Sequence, residues 1–115
     1  VTATKPSGEN ITVTIPGGVN FSRDAVNSTI TASITSSILG VSGTAPINIR
    51  LPSAGDYVAG QYLTIKDESG AANTKNITIL ASGSQTIDGT GSVVLESPFA
   101  AINLYSNGTD KFFIY

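Results

Sequence analysis

Alternating apolar and polar positions divide the second half of the chain into short strands. Within Gly60–Gly91 the pattern predicts three strands, each followed by turn residues: Tyr62–Lys66, Asn76–Ile79 and Gln85–Ile87. Three further strands are predicted over residues 92–97, 100–106 and 111–115. Asn107-Gly108, between the last two, is a strong hairpin signal because both residue types tolerate positive φ.

The first half of the chain alternates in the same way. Asn10–Ile15 has isoleucine and valine on one face and threonine on the other, and Ile47–Leu51 repeats the alternation, so both are predicted strands. Residues 1–8 are predicted to be a connector and residues 40–46 a loop. Residues 54–60 are predicted to form a glycine-bounded loop that carries Tyr57.

Ser22–Leu39 supports two interpretations. An apolar residue recurs every four positions from Val26 to Ile38, as on one side of a helix that begins at a Ser22 cap. The threonines and serines between them are poor helix-interior residues, because they are β-branched or compete for backbone hydrogen bonds. Extended structure is therefore favoured, and a short trimeric helical bundle is the alternative.

Composition indicates an all-β protein with a polar but weakly charged surface. Only 12% of the 115 residues are charged, about half the share usual in soluble domains, so Ser, Thr, Asn and Gly must form most of the surface. The chain has no linker-like break and is long enough for one modest core. So little charge also suggests that copies of the chain cover part of one another's apolar surface.

Several classes of function are disfavoured. The net charge is −2 and the six basic residues are scattered, which argues against a nucleic-acid partner because phosphate binding needs clustered positive charge. Histidine and cysteine are absent, which removes the usual triads, zinc ligands and disulfides. No calcium-loop or nucleotide motif is present, and the longest apolar runs, Phe112–Tyr115 among them, are far too short for a membrane span. We expect no cofactor, no metal and no membrane insertion.

Carboxylates leave one enzymatic alternative open, because glycan-cleaving enzymes use paired acids. The available acids are Asp67, Glu68, Asp88 and Asp110. Each lies in a turn signal, where a short acidic side chain commonly binds local backbone groups. We therefore interpret them as turn residues and predict that the protein is not an enzyme.

Aromatic side chains are better candidates for ligand contact, because a flat ring stacks on the apolar face of a sugar while amide and carboxylate groups bind its hydroxyls. The candidate receptor contacts are Tyr57, Tyr62, Tyr105, Phe113 and Tyr115. Successive side chains of a strand point to opposite faces of the sheet. Where Leu63 and Leu104 face the core, their neighbours Tyr62 and Tyr105 therefore face away from it. For any single ring, packing in the core or between subunits is the favoured interpretation, and sugar contact is the alternative. The candidate trimer core consists of Ile65, Ile77, Ile79, Ile102, Leu104, Phe112 and Ile114.

Glycines, turn residues and strand residues follow one another in a particular order in the second half of the chain. They are Gly60, Ile65, Lys66, Asp67, Gly70, Asn76, Ile77, Thr78, Ile79, Thr86, Ile87, Asp88, Gly89, Leu104, Tyr105, Ser106 and Gly108. In this order, the region from about Ile47 to Tyr115 resembles a module that recurs in bacteriophage tail fibres and related virion appendage proteins. The resemblance implies a homotrimeric, elongated β structure and a role in host attachment.

From this resemblance we expect short antiparallel strands and hairpins in an elongated, intertwined homotrimeric fibre domain. Residues 1–46 would be an N-terminal β or connector region leading from an upstream fibre shaft, and residues 47–115 the C-terminal fibre module, within one continuous domain. The apolar Phe112–Tyr115 end would leave a lone monomer with a sticky edge, which threefold packing covers. If Tyr115 is the natural end of the chain, this domain is the fibre tip.

The expected function is attachment of a virion to its bacterial host by multivalent binding of a surface polysaccharide or lipopolysaccharide. The expected location is the virion, in a tail fibre assembled in the host cytoplasm. One alternative is a structural trimerisation or shaft module without a ligand, and another is a fragment of a polysaccharide-degrading tailspike. An exposed aromatic cluster would favour binding, whereas a uniform Ser and Thr surface would favour the structural module.

Overall fold

The computed structural model describes residues 2–4, 10–12 and 22–115, with side chains over 22–115. Its strands are β1 (Thr2–Thr4), β2 (Asn10–Thr12), β3 (Arg23–Val26), β4 (Ile30–Thr31), β5 (Ile38–Val41), β6 (Ile47–Arg50), β7 (Tyr62–Asp67), β8 (Ile77–Leu80), β9 (Thr86–Ile87), β10 (Ser92–Leu95), β11 (Ala101–Ser106) and β12 (Lys111–Ile114). The described residues otherwise contain one 3₁₀ turn, Ala54–Asp56. None of their helical segments has the length and apolar character of a membrane span.

Two sheets form the body of the molecule. One has six strands in the order β3-β5-β7-β11-β12-β9, and the other has four in the order β10-β8-β6-β4. From β3 to β8 the chain alternates between the sheets, and neighbouring strands in each sheet are parallel. This winding is typical of a short β-solenoid, in which each coil packs on the one before it. Antiparallel β10 and β11 then extend the two sheets.

The all-β class is confirmed, but the prediction of antiparallel strands and hairpins is wrong for the coiled part. β7 and β8 are consecutive in sequence and belong to different sheets. Their connection, residues 68–76, crosses from one sheet to the other, as parallel neighbours require. Alternation failed to predict this because it indicates which face of a strand is buried, and carries no information about the partner strand.

The contested segment Ser22–Leu39 is extended, as predicted, since it contains β3, β4 and the first residues of β5. The predicted loop over 40–46 begins later, because Gly40 and Val41 continue β5 alongside β7. The predicted strand Asn10–Ile15 is confirmed at β2, and residues 13–15 lie outside the described part. Strands before and after residue 46 pair in both sheets.

One apolar core lies between the sheets. Six of the seven candidate core residues are buried within a single chain, so their burial requires no second copy: Ile65, Ile77, Ile79, Ile102, Leu104 and Phe112. Ile114, expected to face inward with Phe112, is 40% exposed. The reason is that β9, the strand beyond β12, ends at Ile87 opposite Phe112 and leaves Ile114 uncovered.

Two tight turns hold the C-terminal strands in place. Asp88 and Gly89 have φ values of 48° and 82° between the bridged residues Ile87 and Thr90, which is the geometry of a two-residue type I′ turn. The hairpin predicted at Asn107-Gly108 is confirmed by the antiparallel pairing of β11 and β12. Its loop is longer than two residues, and the Asn107 side-chain oxygen accepts three successive backbone N–H bonds within it.

Candidate functional site

The outward side of the six-stranded sheet carries four aromatic side chains that we call the aromatic face: Tyr62, Tyr105, Phe113 and Tyr115. Tyr62, Tyr105 and Phe113 are cross-strand partners on β7, β11 and β12. The Tyr105 ring lies 5.4 Å from that of Phe113 and 5.6 Å from that of Tyr115, distances at which aromatic pairs attract. Exposure is 55% for Tyr62, 37% for Tyr105 and 61% for Tyr115. The sheet therefore presents these rings together on the surface.

A polar pair adjoins the aromatic face. Thr64 and Asn103 are cross-strand partners, and the Thr64 hydroxyl donates to the Asn103 Oδ1 over 2.9 Å. This bond fixes the Asn103 amide, whose Nδ2 group makes no hydrogen bond to any residue of the described chain. Ile38 lies beside Thr64 on β5 and is exposed. Apolar surface and a positioned hydrogen-bond donor thus occur side by side.

Tyr57 does not belong to this face, and the prediction that it contacts a receptor is wrong. Its side chain is 4% exposed, and its ring packs edge-on against Phe112 at 5.5 Å. The 3₁₀ turn at Ala54–Asp56 directs the ring into the core rather than outward. The hydroxyl is buried without a hydrogen-bond partner in the described chain, and burial raises the pKa of Tyr57 to about 12.

Charged groups lie at the other end of the same sheet side. Arg23 and Glu68 form a two-pronged ion pair, with Arg23 Nε donating to Glu68 Oε2 over 2.9 Å. A Cβ added to Gly40 would collide with the Glu68 carboxylate, so the missing side chain leaves room for the pair across β5. The Lys66 ammonium donates to the Phe99 carbonyl and lies 5.8 Å from the centre of the Phe99 ring.

Asp67 links two loops at this end of the sheet. It is 1% exposed, and its carboxylate accepts bonds from the Ser69 hydroxyl and from the backbone N–H groups of Gly70, Ala72 and Phe99 over 3.0–3.1 Å. Burial raises the pKa of the Asp67 carboxyl, but these four donors lower it, and the resulting pKa lies below the ordinary value. The carboxylate therefore ties the loop after β7 to the loop before β11.

The remaining carboxylates also have local partners. Asp88 Oδ1 accepts the Ile114 N–H over 3.2 Å, and Asp110 Oδ1 accepts the Asn107 side-chain amide over 3.0 Å. With Asp67 and the paired Glu68, every acid considered as a hydrolase candidate is engaged in a turn, a loop or an ion pair. Within the described ranges no group of three or more His, Cys, Asp or Glu side chains is placed to hold a metal ion.

No protein-family model matches this chain, and no curated protein shows significant similarity to it.

Sequence reasoning missed the neighbours of the aromatic face. Thr64 and Lys66 lie two and four residues after Tyr62, and Asn103 lies two residues before Tyr105. Alternation along each strand therefore puts all three on the outward side, and this could have been read from the sequence. Their grouping depends on the pairing of β7 with β11, which are separated by β8, β9 and β10 along the chain. Phe99 gave no periodic signal, because it lies in an irregular loop.

Proposed function

We propose that this domain is an attachment module, of the kind found in phage tail fibres, and that it binds a bacterial surface polysaccharide or lipopolysaccharide through the aromatic face. The observation that carries the proposal is the convergence of Tyr62, Tyr105, Phe113 and Tyr115 beside the Thr64–Asn103 pair on one exposed sheet side. Aromatic rings next to amide and hydroxyl groups match the two chemical faces of a sugar.

The physical basis of binding is stacking on a preformed surface. Strand pairing and ring–ring contacts already hold the aromatic side chains, so less conformational entropy is lost when a ligand binds. A sugar covers the exposed rings with its apolar C–H face, and its hydroxyls replace water at Asn103 and the tyrosine hydroxyls. Such a surface provides few polar contacts, so each site should be weak.

Weak sites suit multivalent attachment. In this proposal three copies associate in an elongated fibre domain on a virion and present equivalent sites to one cell surface. Simultaneous engagement raises avidity by orders of magnitude without a strong single site. The engagement of Asp67, Glu68, Asp88 and Asp110 in local contacts supports binding over glycan cleavage.

A structural module is the second candidate, because the exposed side chain of Ile38 lies beside Thr64 on the same sheet side as the aromatic face. In that case the face would be an interface between copies, and no ligand would reach it. The two candidates predict different effects of Tyr105→Ala. The substitution removes ligand binding if the domain is an attachment module, and it removes the oligomer if the domain is a structural module.

Binding to surface polysaccharides extracted from bacterial strains and immobilised on a biosensor tests the proposal. Tyr105→Ala and Tyr62→Ala should each weaken binding about tenfold or more, as expected for central aromatic contacts. Tyr105→Phe should retain most of the binding because it keeps the ring. The matched control is Val94→Ala, which truncates an exposed apolar side chain on β10 of the other sheet.

The outcomes separate the candidates. Loss of binding at unchanged mass in Tyr105→Ala, with normal binding by Val94→Ala, supports attachment through the aromatic face. Loss of the oligomer in Tyr105→Ala contradicts the proposal and supports the structural module. Binding that is equal in Tyr62→Ala, Tyr105→Ala and the parent chain places any glycan site elsewhere.

A further inference from the structure

Phe99 is presented at the surface in an unusual backbone conformation. Its φ is +60°, and its side chain is 57% exposed. A bulky residue in the left-handed region is uncommon and is maintained only where its surroundings impose it. Here the Phe99 N–H donates to the buried Asp67 carboxylate, and its carbonyl accepts from Lys66. Both backbone groups are therefore held by side chains that begin on β7.

The ring has room because Gly70 has no side chain. A Cβ added there would lie 2.6 Å from two atoms of the Phe99 ring, so any larger residue would force the ring to move. Asp67, Lys66 and Gly70 thus fix the position of one exposed aromatic side chain.

Lys66 supplies a positive charge beside the ring. The ion pairs of residues 22–115 are Arg23–Glu68 and Lys111–Asp110, whereas Lys66 binds a neutral carbonyl and lies over an aromatic ring. No described carboxylate therefore forms an ion pair with the Lys66 ammonium. An exposed ring next to an ammonium that has no ion-pair partner in the described chain complements a sugar that carries a negative group.

We infer that Lys66 and Phe99 form a second subsite, which binds an anionic sugar residue of the same glycan. The sugar ring stacks on Phe99 while its carboxylate or phosphate pairs with the Lys66 ammonium. This inference rests on the proposed function, because the glycan is the one bound at the aromatic face. Lys66 and Tyr62 lie on the same side of β7, four residues or about 13 Å apart along the strand, a span that a short oligosaccharide bridges.

Titration with sugars that differ only at C6 tests the subsite. The probes are glucose, glucuronate and glucose 6-phosphate, together with the corresponding galactose and mannose series. Binding is measured from the backbone amide chemical shifts of the ¹⁵N-labelled chain. We expect the anionic members of at least one series to shift the Lys66, Gly70 and Phe99 amides with about three- to tenfold higher affinity than the neutral sugar. Lys66→Gln should abolish that difference, and Lys66→Arg should retain it.

Further variants make the outcomes decisive. Phe99→Ala should weaken both neutral and anionic probes at this end, since it removes the stacking surface. The carboxylate and phosphate probes distinguish the two anion types. Equal affinity for neutral and anionic probes, or an unchanged preference in Lys66→Gln, would overturn the subsite while leaving the aromatic face intact. Absence of any sugar-dependent shift at Tyr62, Tyr105 or Tyr115 would instead overturn the proposed function.

Discussion

Asp67 is the side chain on which the end of the larger sheet depends most. A buried carboxylate is unfavourable unless hydrogen bonds replace its hydration, and Asp67 receives four of them. The bonds to Ser69 and Gly70 are local, but the bond to Phe99 joins loops that are distant in sequence. One side chain thus closes the core and fixes the orientation of Phe99.

Replacing Asp67 should therefore be costly. We expect Asp67→Asn to lower the free energy of unfolding by about 2–4 kcal/mol, because the amide cannot accept all four bonds and places a donor against backbone donors. Urea denaturation measures this loss. Asp110→Asn, in an exposed turn, is the control and should leave the midpoint unchanged. An unaltered midpoint in Asp67→Asn would contradict the structural role of the carboxylate.

Acid should act on the same group. The folded-state pKa of Asp67 lies below the ordinary value, so the unfolded chain binds the proton more readily. The contribution to stability is present above the ordinary aspartate pKa of about 3.9 and is lost as the pH falls through the folded-state pKa. The stability difference between the parent chain and Asp67→Asn should shrink over this range. A difference that stayed constant down to low pH would contradict the assignment.

Tyr57 gives a prediction of the opposite kind. Since its hydroxyl is buried without a partner in the described chain, Tyr57→Phe should leave the free energy of unfolding unchanged or raise it by up to about 1 kcal/mol. The tyrosinate absorbance step near pH 12 should disappear in the variant. A clear loss of stability would show that the hydroxyl has a hydrogen-bond partner.

At the residue scale, the sequence indicated the outward direction of Tyr62 and Tyr105 correctly and the environment of Tyr57 wrongly. The first two lie in strands, where alternation defines a face. Tyr57 lies in a loop, where no period operates and the 3₁₀ turn determines its direction. Local bonding by Asp67 was also foreseeable from its turn position, whereas its bond to Phe99 depends on the tertiary fold.

Strand positions were largely predictable, and strand partners were not. Six predicted strands in the second half correspond to β7 through β12, because alternation and turn residues are local signals. Parallel pairing of β5 with β7 and of β6 with β8 is a long-range property that the same signals do not encode.

Two glycines in turns allow the cost of a positive φ to be separated from the cost of a steric clash. Gly89 and Gly108 have φ values of 82° and 80°, so both carry the same conformational demand. Gly89→Ala should cost about 1 kcal/mol, since nothing lies near its new Cβ. Gly108→Ala should cost about 2–4 kcal/mol, because its Cβ would lie 2.8 Å from the Ala59 backbone nitrogen. Equal unfolding midpoints for the two variants would contradict the described packing of the hairpin loop on residue 59.

For the whole molecule, a single chain encloses its own core and still exposes Ile38, Ile114 and the aromatic face. The proposed fibre adds two further copies. Light scattering at two protein concentrations, with and without a brief heat step, should give three times the 11.7 kDa chain mass. A well-folded monomer at both concentrations would contradict the homotrimer and would favour a stand-alone binding or structural domain.

The central claim is that the aromatic face binds sugar, and saturation-transfer NMR tests it most directly. Selective saturation of the protein's aromatic protons, in the presence of an extracted surface oligosaccharide, should transfer to the sugar ring protons. The transfer should fall strongly in Tyr62→Ala and Tyr105→Ala and persist in Val94→Ala. Transfer that is equal in all four proteins, or absent from the parent chain with every oligosaccharide tested, would contradict the claim.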